Sequence, residues 1–241
     1  MVESRGGMLL ANLREQVLEA NLELVRRGLV LATFGNASGL AREEGLIVIK
    51  PSGVPYEGMK PADLVVTDLH GKVVEGSLRP SSDLPTHAAL YRAFPAIGGI
   101  AHTHSEYATA WAQARQPIPC FGTTHADYFH GPIPLTEAMT DEEINGEYEA
   151  NTGAAIIRVF ERIDPMAIPA ALVANHGPFA WGADAQKAAE NAWMLEAVAR
   201  MAYLTVALDA NAGSLGKTLH DRHFLRKHGK QAYYGQAGKK E

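Results

Sequence analysis

Short apolar runs separated only by turns, followed further on by long helical patterns, restrict this chain to a fold that covers a sheet with helices. Leu46-Ile47-Val48-Ile49-Lys50 and Leu64-Val65-Val66-Thr67 read as strands, and His70-Gly71-Lys72 turns the second into Val73-Val74. Strands so close in sequence leave no room for a crossover helix, so they pair antiparallel. Helical spacing recurs at Leu13, Val17, Ala20 and Leu24, with Arg26-Arg27-Gly28 as basic residues and then a glycine stop. Pro85 suits the first turn of a helix running to about Phe94 and closed by Pro95, which puts Asp83 at a helix entrance. Ile97-Gly98-Gly99-Ile100-Ala101 leads as a strand into His102. Asp141 to Arg162 and Asp184 to Leu208 are long helical patterns on either side of the strand Ala171-Leu172-Val173-Ala174, and Leu219 to Arg226 is a shorter one. The expected fold is α/β, a three-layer α/β/α sandwich with a mixed, mostly antiparallel central sheet.

With 241 residues, 46% of them apolar, the chain can bury one substantial core. A single domain over residues 8–236 is expected, with 1–7 and 237–241 as flexible ends. The balance of 22 Lys plus Arg against 27 Asp plus Glu leaves no basic footprint for nucleic acid or an anionic membrane, and points to a small-molecule partner. Cys120 is the single cysteine, which excludes an intrachain disulfide and a Cys-rich metal site and fits a reducing compartment. Any metal must therefore use histidine and carboxylate. The first seven residues lack the apolar core of a signal peptide and no apolar run reaches membrane-spanning length, so the expected location is the cytoplasm. Neither a Gly-x-Gly-x-x-Gly nor a P-loop pattern is present to bind a dinucleotide or nucleoside triphosphate.

His102-Thr103-His104 ends an apolar strand, and residues two apart on a strand share a face and can grip one ion. Two such histidines can equally be surface residues. His176 lies between a strand and Gly177-Pro178, where functional side chains are often displayed and where a histidine can also simply stabilise a turn. Asp83 supplies a carboxylate that reads either as a ligand or as a helix N-cap. Three imidazoles and a carboxylate suit Zn2+, and the same donors suit Mn2+ or Co2+. Lys50-Pro51-Ser52-Gly53 after a strand and Ser81-Ser82 at a helix start offer hydroxyls and N–H groups to a phosphate dianion, although each alone also reads as a turn. Phe34-Gly35-Asn36-Ala37-Ser38 reads as a Gly-Asn loop.

These segments recur together and in order. Gly35-Asn36-Ala37-Ser38, Lys50-Pro51-Ser52-Gly53, Pro80-Ser81-Ser82-Asp83, His102-Thr103-His104, Thr123-Thr124-His125-Ala126-Asp127, Glu143-Ile144-Asn145-Gly146-Glu147-Tyr148, His176-Gly177-Pro178 and the ending His228 to Gln236 resemble the bacterial L-ribulose-5-phosphate 4-epimerases of the class II aldolase superfamily. The resemblance covers residues 9 to 236. It implies a zinc ion on Asp83, His102, His104 and His176, and a sugar phosphate held by Asn36, Lys50, Ser52, Gly53, Ser81, Ser82 and Thr123. It also implies Asp127 and Tyr234 as the acid/base pair with His223 as a helper, these three coming from the neighbouring subunit of a cyclic homotetramer. The chain departs from the pattern at Asn175, where the family has serine.

The implied reaction interconverts L-ribulose 5-phosphate and D-xylulose 5-phosphate. The C4 hydrogen is not adjacent to the carbonyl, so inversion at C4 requires breaking and remaking C3–C4. Class II aldolases of the fuculose or rhamnulose 1-phosphate type make the same cleavage and release the fragments, and carry Glu where Asp83 stands. Adducin-like binding modules share the fold without the ligands, all four of which are present here.

Overall fold

The computed structural model describes residues 7–229 and 232–233. Helix α1 (Ala11–Arg26) is followed by strands β1 (Asn36–Ala41), β2 (Leu46–Ile49), β3 (Val65–Asp68) and β4 (Val73–Glu75). Then come α2 (Leu84–Ala93), β5 (Gly99–His102), α3 (Glu106–Gln113), α4 (Thr123–Ala126), α5 (Asp141–Asn145) and α6 (Tyr148–Val159). The chain continues through β6 (Ala170–Val173), β7 (Gly177–Gly182), α7 (Ala185–Leu208) and α8 (Lys217–His228).

The strands form one seven-stranded sheet in the order β4-β3-β2-β1-β5-β7-β6, and every ladder in it is antiparallel. An isolated bridge between Leu135 and Leu172 adds the parallel component. The expected hairpin turn is present, with Gly71 at φ 86 between β3 and β4.

Alternation along the central strands sorts the two faces. Registers Asn36↔His102, Ser38↔Ile100, Ile100↔Trp181 and His102↔Phe179 place one set of side chains together, toward α2 and α6, where Phe94 and Phe160 pack on Trp181. The opposite face is lined by Ala37, Gly39, Gly99, Ala101, Ala180 and Gly182. A Cβ at Gly39 would lie 2.8 Å from Val17 of α1, and one at Gly99 would lie 2.3 Å from the backbone at the start of α7. The small residues on this face are what allow two helices to lie directly on the sheet.

Two expectations are corrected, and one strand forms where the sequence carried no signal for it. Asn36-Ala37-Ser38 is not a loop but the start of β1, a central strand whose polar residues are buried. Asn21 of α1 holds it by donating to Ala37 O at 3.0 Å and accepting from Ala37 N at 2.8 Å. Residues 141–162 do not form one helix, because the chain breaks at Gly146 (φ −92, ψ −131) between α5 and α6. Gly177–Gly182, which carried no strand signal among its Gly and Pro, forms β7. Among the described residues no helix is long and apolar enough to cross a membrane.

Candidate metal centre and anion cradle

His102 ends β5, His104 follows just past it, and His176 stands in the turn that joins β6 to β7. Because β5 pairs with β7, the strand end and the hairpin turn meet. One ring nitrogen from each histidine lies within 4.8 Å of the others. His102 and His104 approach Nε2 to Nε2 at 3.1 Å. The His102 ring stacks on Phe179 with centroids 4.1 Å apart, and its Nδ1 faces Pro178 O at 2.9 Å. A carbonyl only accepts, so Nδ1 carries the proton and Nε2 presents a lone pair to the centre. Burial and the neighbouring imidazoles push His176 down to about 4, with Asp83 opposing, and lower His104 in the same way. Three imidazoles whose ring nitrogens converge, two of them at 3.1 Å, form the donor set that a divalent cation takes.

Asp83 is the N-cap residue of α2 by position, but its side chain makes no cap hydrogen bond. Its Oδ2 instead accepts from Asn36 Nδ2 at 2.6 Å and from Ser81 Oγ at 3.4 Å. Burial raises the Asp83 carboxyl, yet His102, His87, the Asn36 amide and His176 together outweigh it, and the group ends below its ordinary value. Asp83 is thus ionised rather than serving as a helix cap, and among the described residues the side chains close enough to share one ion are the three histidines without it.

The two Ser/Gly segments are tied together. Ser52 N donates to Arg79 O and Ser81 N to Lys50 O, both at 3.0 Å, around a bridge between Pro51 and Pro80. Those two amides are therefore spent inside the fold. The donors left to an anion are the exposed Ser52 and Ser82 hydroxyls, the Gly53 and Ser82 amides, and Lys50. Gly53 takes φ 68, a conformation that favours glycine. Lys50 is almost wholly buried, its Nζ lies 4.6 Å from the Tyr56 ring centroid, and burial pushes it down to about 8.

Asp127 and His223 form a second cluster with Arg226. Asp127 caps the C-terminus of α4, and Arg226 and His223 of α8 donate to it at 2.8 and 3.0 Å, with Lys227 at 3.7 Å. Burial would raise Asp127, but the Arg226 and His223 hydrogen bonds and the Lys227 charge outweigh it and hold it low. Thr123 starts α4 one turn before Asp127, on this cluster rather than on the cradle. No hydrogen bond, ion pair or ring contact among the described residues joins this cluster to the triad. Tyr234 lies outside the described residues. Asn175 takes φ 61, which asparagine tolerates, and its amide faces Gln113 O at 3.5 Å rather than His176.

Sequence reading gave no role to Tyr148, whose hydroxyl lies 3.4 Å from His176 Nδ1, or to Phe34, whose ring stacks on His104. It also passed over His87, wholly buried under the sheet face with Nδ1 2.7 Å from Ser38 Oγ. The Thr-His pair at 86–87 in a helix carries no signal of its own, and only the contacts give it one.

The model of the class II aldolase and adducin N-terminal domain family matches residues 15–203, and the chain belongs to this family. It is 54% identical over 224 residues to the L-ribulose-5-phosphate 4-epimerase UlaF of Salmonella paratyphi A, covering 93% of this chain and 98% of that protein. Among solved structures, an L-fuculose 1-phosphate aldolase superposes with TM-score 0.76 at 27% identity, over 90% of this chain and 96% of that one. The L-fuculose-1-phosphate aldolase from Thermus thermophilus, at 23% identity and TM-score 0.65 over 86% of this chain and all of that one, shares the fold.

Proposed function

We propose that the chain is an L-ribulose-5-phosphate 4-epimerase that interconverts L-ribulose 5-phosphate and D-xylulose 5-phosphate, with one zinc ion per chain on His102, His104, His176 and Asp83. The observation that carries this is the convergence of His102, His104 and His176 on one point, with the ionised Asp83 held by Asn36 and Ser81 to complete the donor set in this reading. The 54% identity to an epimerase supports the same reaction. A bound zinc ion would polarise the C2 ketone and stabilise the negative charge that develops there. Manganese or cobalt fits the same donors.

The chain's own residues do the rest. A base takes the proton of the C4 hydroxyl, the C3–C4 electron pair moves toward the ketone, and an aldehyde carrying the phosphate separates. Ser52, Gly53, Ser82 and Lys50 hold that phosphate, so the two-carbon fragment turns in place instead of leaving. Re-addition to the other face reforms C3–C4, and a second group returns the proton to the C4 oxygen. Asp127 and Tyr234 serve the two faces, with His223 orienting Asp127 through its hydrogen bond. In this reading they reach the metal of a neighbouring copy in a cyclic homotetramer, and the enzyme works in the cytoplasm, in keeping with one free, buried cysteine.

The test is one assay of purified protein on L-ribulose 5-phosphate, following both D-xylulose 5-phosphate and free glycolaldehyde phosphate. Epimer formed without released aldehyde supports the proposal. Stoichiometric release of aldehyde would make the chain an aldolase.

A further inference from the structure

The three imidazoles of the triad are held in three different ways. His102 donates Nδ1 to Pro178 O, and His176 has its Nδ1 near the Tyr148 hydroxyl. His104 has no such bond among the described residues, its one hydrogen-bond contact being Nε2 to His102. Its ring lies instead against Phe34, stacked with centroids 5.8 Å apart and planes 24° apart.

Phe34 is 59% exposed, so burial does not explain where its ring sits. The backbone does. Phe34 N donates to Leu31 O at 2.9 Å and closes a turn. Gly35 follows at φ 90, where a Cβ would lie 3.0 Å from His102 O, so only glycine lets this turn press against the end of β5. The hydroxyl of buried Tyr56 donates to Gly35 O at 2.7 Å and reaches Phe34 O at 3.3 Å. The same Tyr56 ring lies beneath Lys50 Nζ.

We infer that Phe34 is the positioning residue of His104, supplying through its ring the orientation that a hydrogen bond supplies to the other two histidines. Tyr56 is the strut that fixes the Phe34 turn and ties it to the Lys50 end of the cradle. This rests on the metal-centre reading of the triad and adds to it a residue that acts on the centre through the His104 ring. Groups that orient metal ligands commonly change metal affinity by about 10–100-fold when removed.

The experiment titrates metal-free protein with Co2+ against a competing chelator, and records the visible absorption of the bound ion, for the parent, Phe34→Leu, Phe34→Trp and Tyr56→Phe. The parent takes up one ion per chain. Phe34→Leu loses about tenfold in affinity and its absorption band changes shape or position, while its thermal melting stays with the parent because the side chain is exposed. Phe34→Trp restores an aromatic face and returns both affinity and band close to the parent, and Tyr56→Phe falls between. An unchanged affinity and band in Phe34→Leu overturns the inference, as does a Phe34→Trp protein as weak as Phe34→Leu. Parent-like behaviour of Tyr56→Phe overturns the strut. A parent that binds no Co2+ sinks the metal-centre reading itself, and this inference with it.

Discussion

Asn36 Nδ2 donates to Asp83 Oδ2 across 2.6 Å, linking the first residue of a central strand to the residue that opens α2. The bond fixes one carboxylate oxygen of Asp83, while the Asn36 Oδ1 atom is buried without a protein partner. Asp83→Asn should therefore keep the fold and lower metal affinity by about 10–100-fold, leaving activity that excess metal restores. Chelator competition measures it. A variant that binds metal as tightly as the parent would reduce Asp83 to a structural residue of the helix entrance.

The cradle predicts a selective defect. Ser82→Ala removes an exposed hydroxyl whose backbone remains in place, so the Michaelis constant for L-ribulose 5-phosphate should rise several-fold, by roughly 1 kcal/mol of anion binding, with little effect on an unphosphorylated ketose. Lys50→Met should act in the same direction and more strongly, since it removes the buried cation. Equal effects on both substrates would refute the cradle.

His87 predicts a pH dependence. Burial pushes it down to about 3, against an ordinary 6.5, with the nearby Asp83 opposing. Between those values the unfolded chain binds a proton that the folded chain refuses. Stability therefore rises with pH across that window and is lost on acidification, by roughly 1 kcal/mol per pH unit for this residue. His87→Asn can keep the hydrogen bond to Ser38 without titrating. Urea unfolding of the parent and the variant between pH 7 and pH 5 should give a shallower slope for the variant. Parallel slopes would mean that His87 charges within the fold.

Much of this site was legible because its chemistry is local in sequence. His102 and His104 stand two apart, Ser52 and Gly53 adjoin Lys50, and Ser81-Ser82-Asp83 is one run, so spacing alone proposes the groups. What spacing does not carry is which run meets which. The pairing of β5 with β7 brings His176 to His102, and the Pro51–Pro80 bridge joins the two halves of the cradle. The strand β1 was misread because it is built of Asn, Ala, Ser and Gly, chosen for buried polar contacts and for close helix approach rather than for strand propensity. Phe34 escaped notice because a single exposed aromatic is ordinary in a sequence and acquires meaning only when its ring is found against His104.

The Asp127 cluster stands apart from the triad in the contacts of the described residues. Asp127 is joined to His223 and Arg226, and no hydrogen bond or ion pair among the described residues links it to the triad of its own chain, which is the arrangement expected of a base offered to a metal on another copy. The surface beside it suits such docking. A cleft of about 390 Å³ runs between α4 and the end of α7, lined by Phe121, His125, Met201, Leu204 and Leu208, and Met201, Leu204 and Leu208 are 46–90% exposed. Apolar surface left open in this way is commonly covered by another chain, and a head-to-tail ring would give every triad a neighbour's Asp127. His102→Ala and Asp127→Asn should each be nearly inactive alone. Refolded together, they should regain part of the parent activity, because some interfaces then pair an intact triad with an intact Asp127. Mass spectrometry of the mixture establishes that hybrids have formed. Hybrids as inactive as both parents would mean that Asp127 serves its own chain or no metal, and the shared-site arrangement would fall.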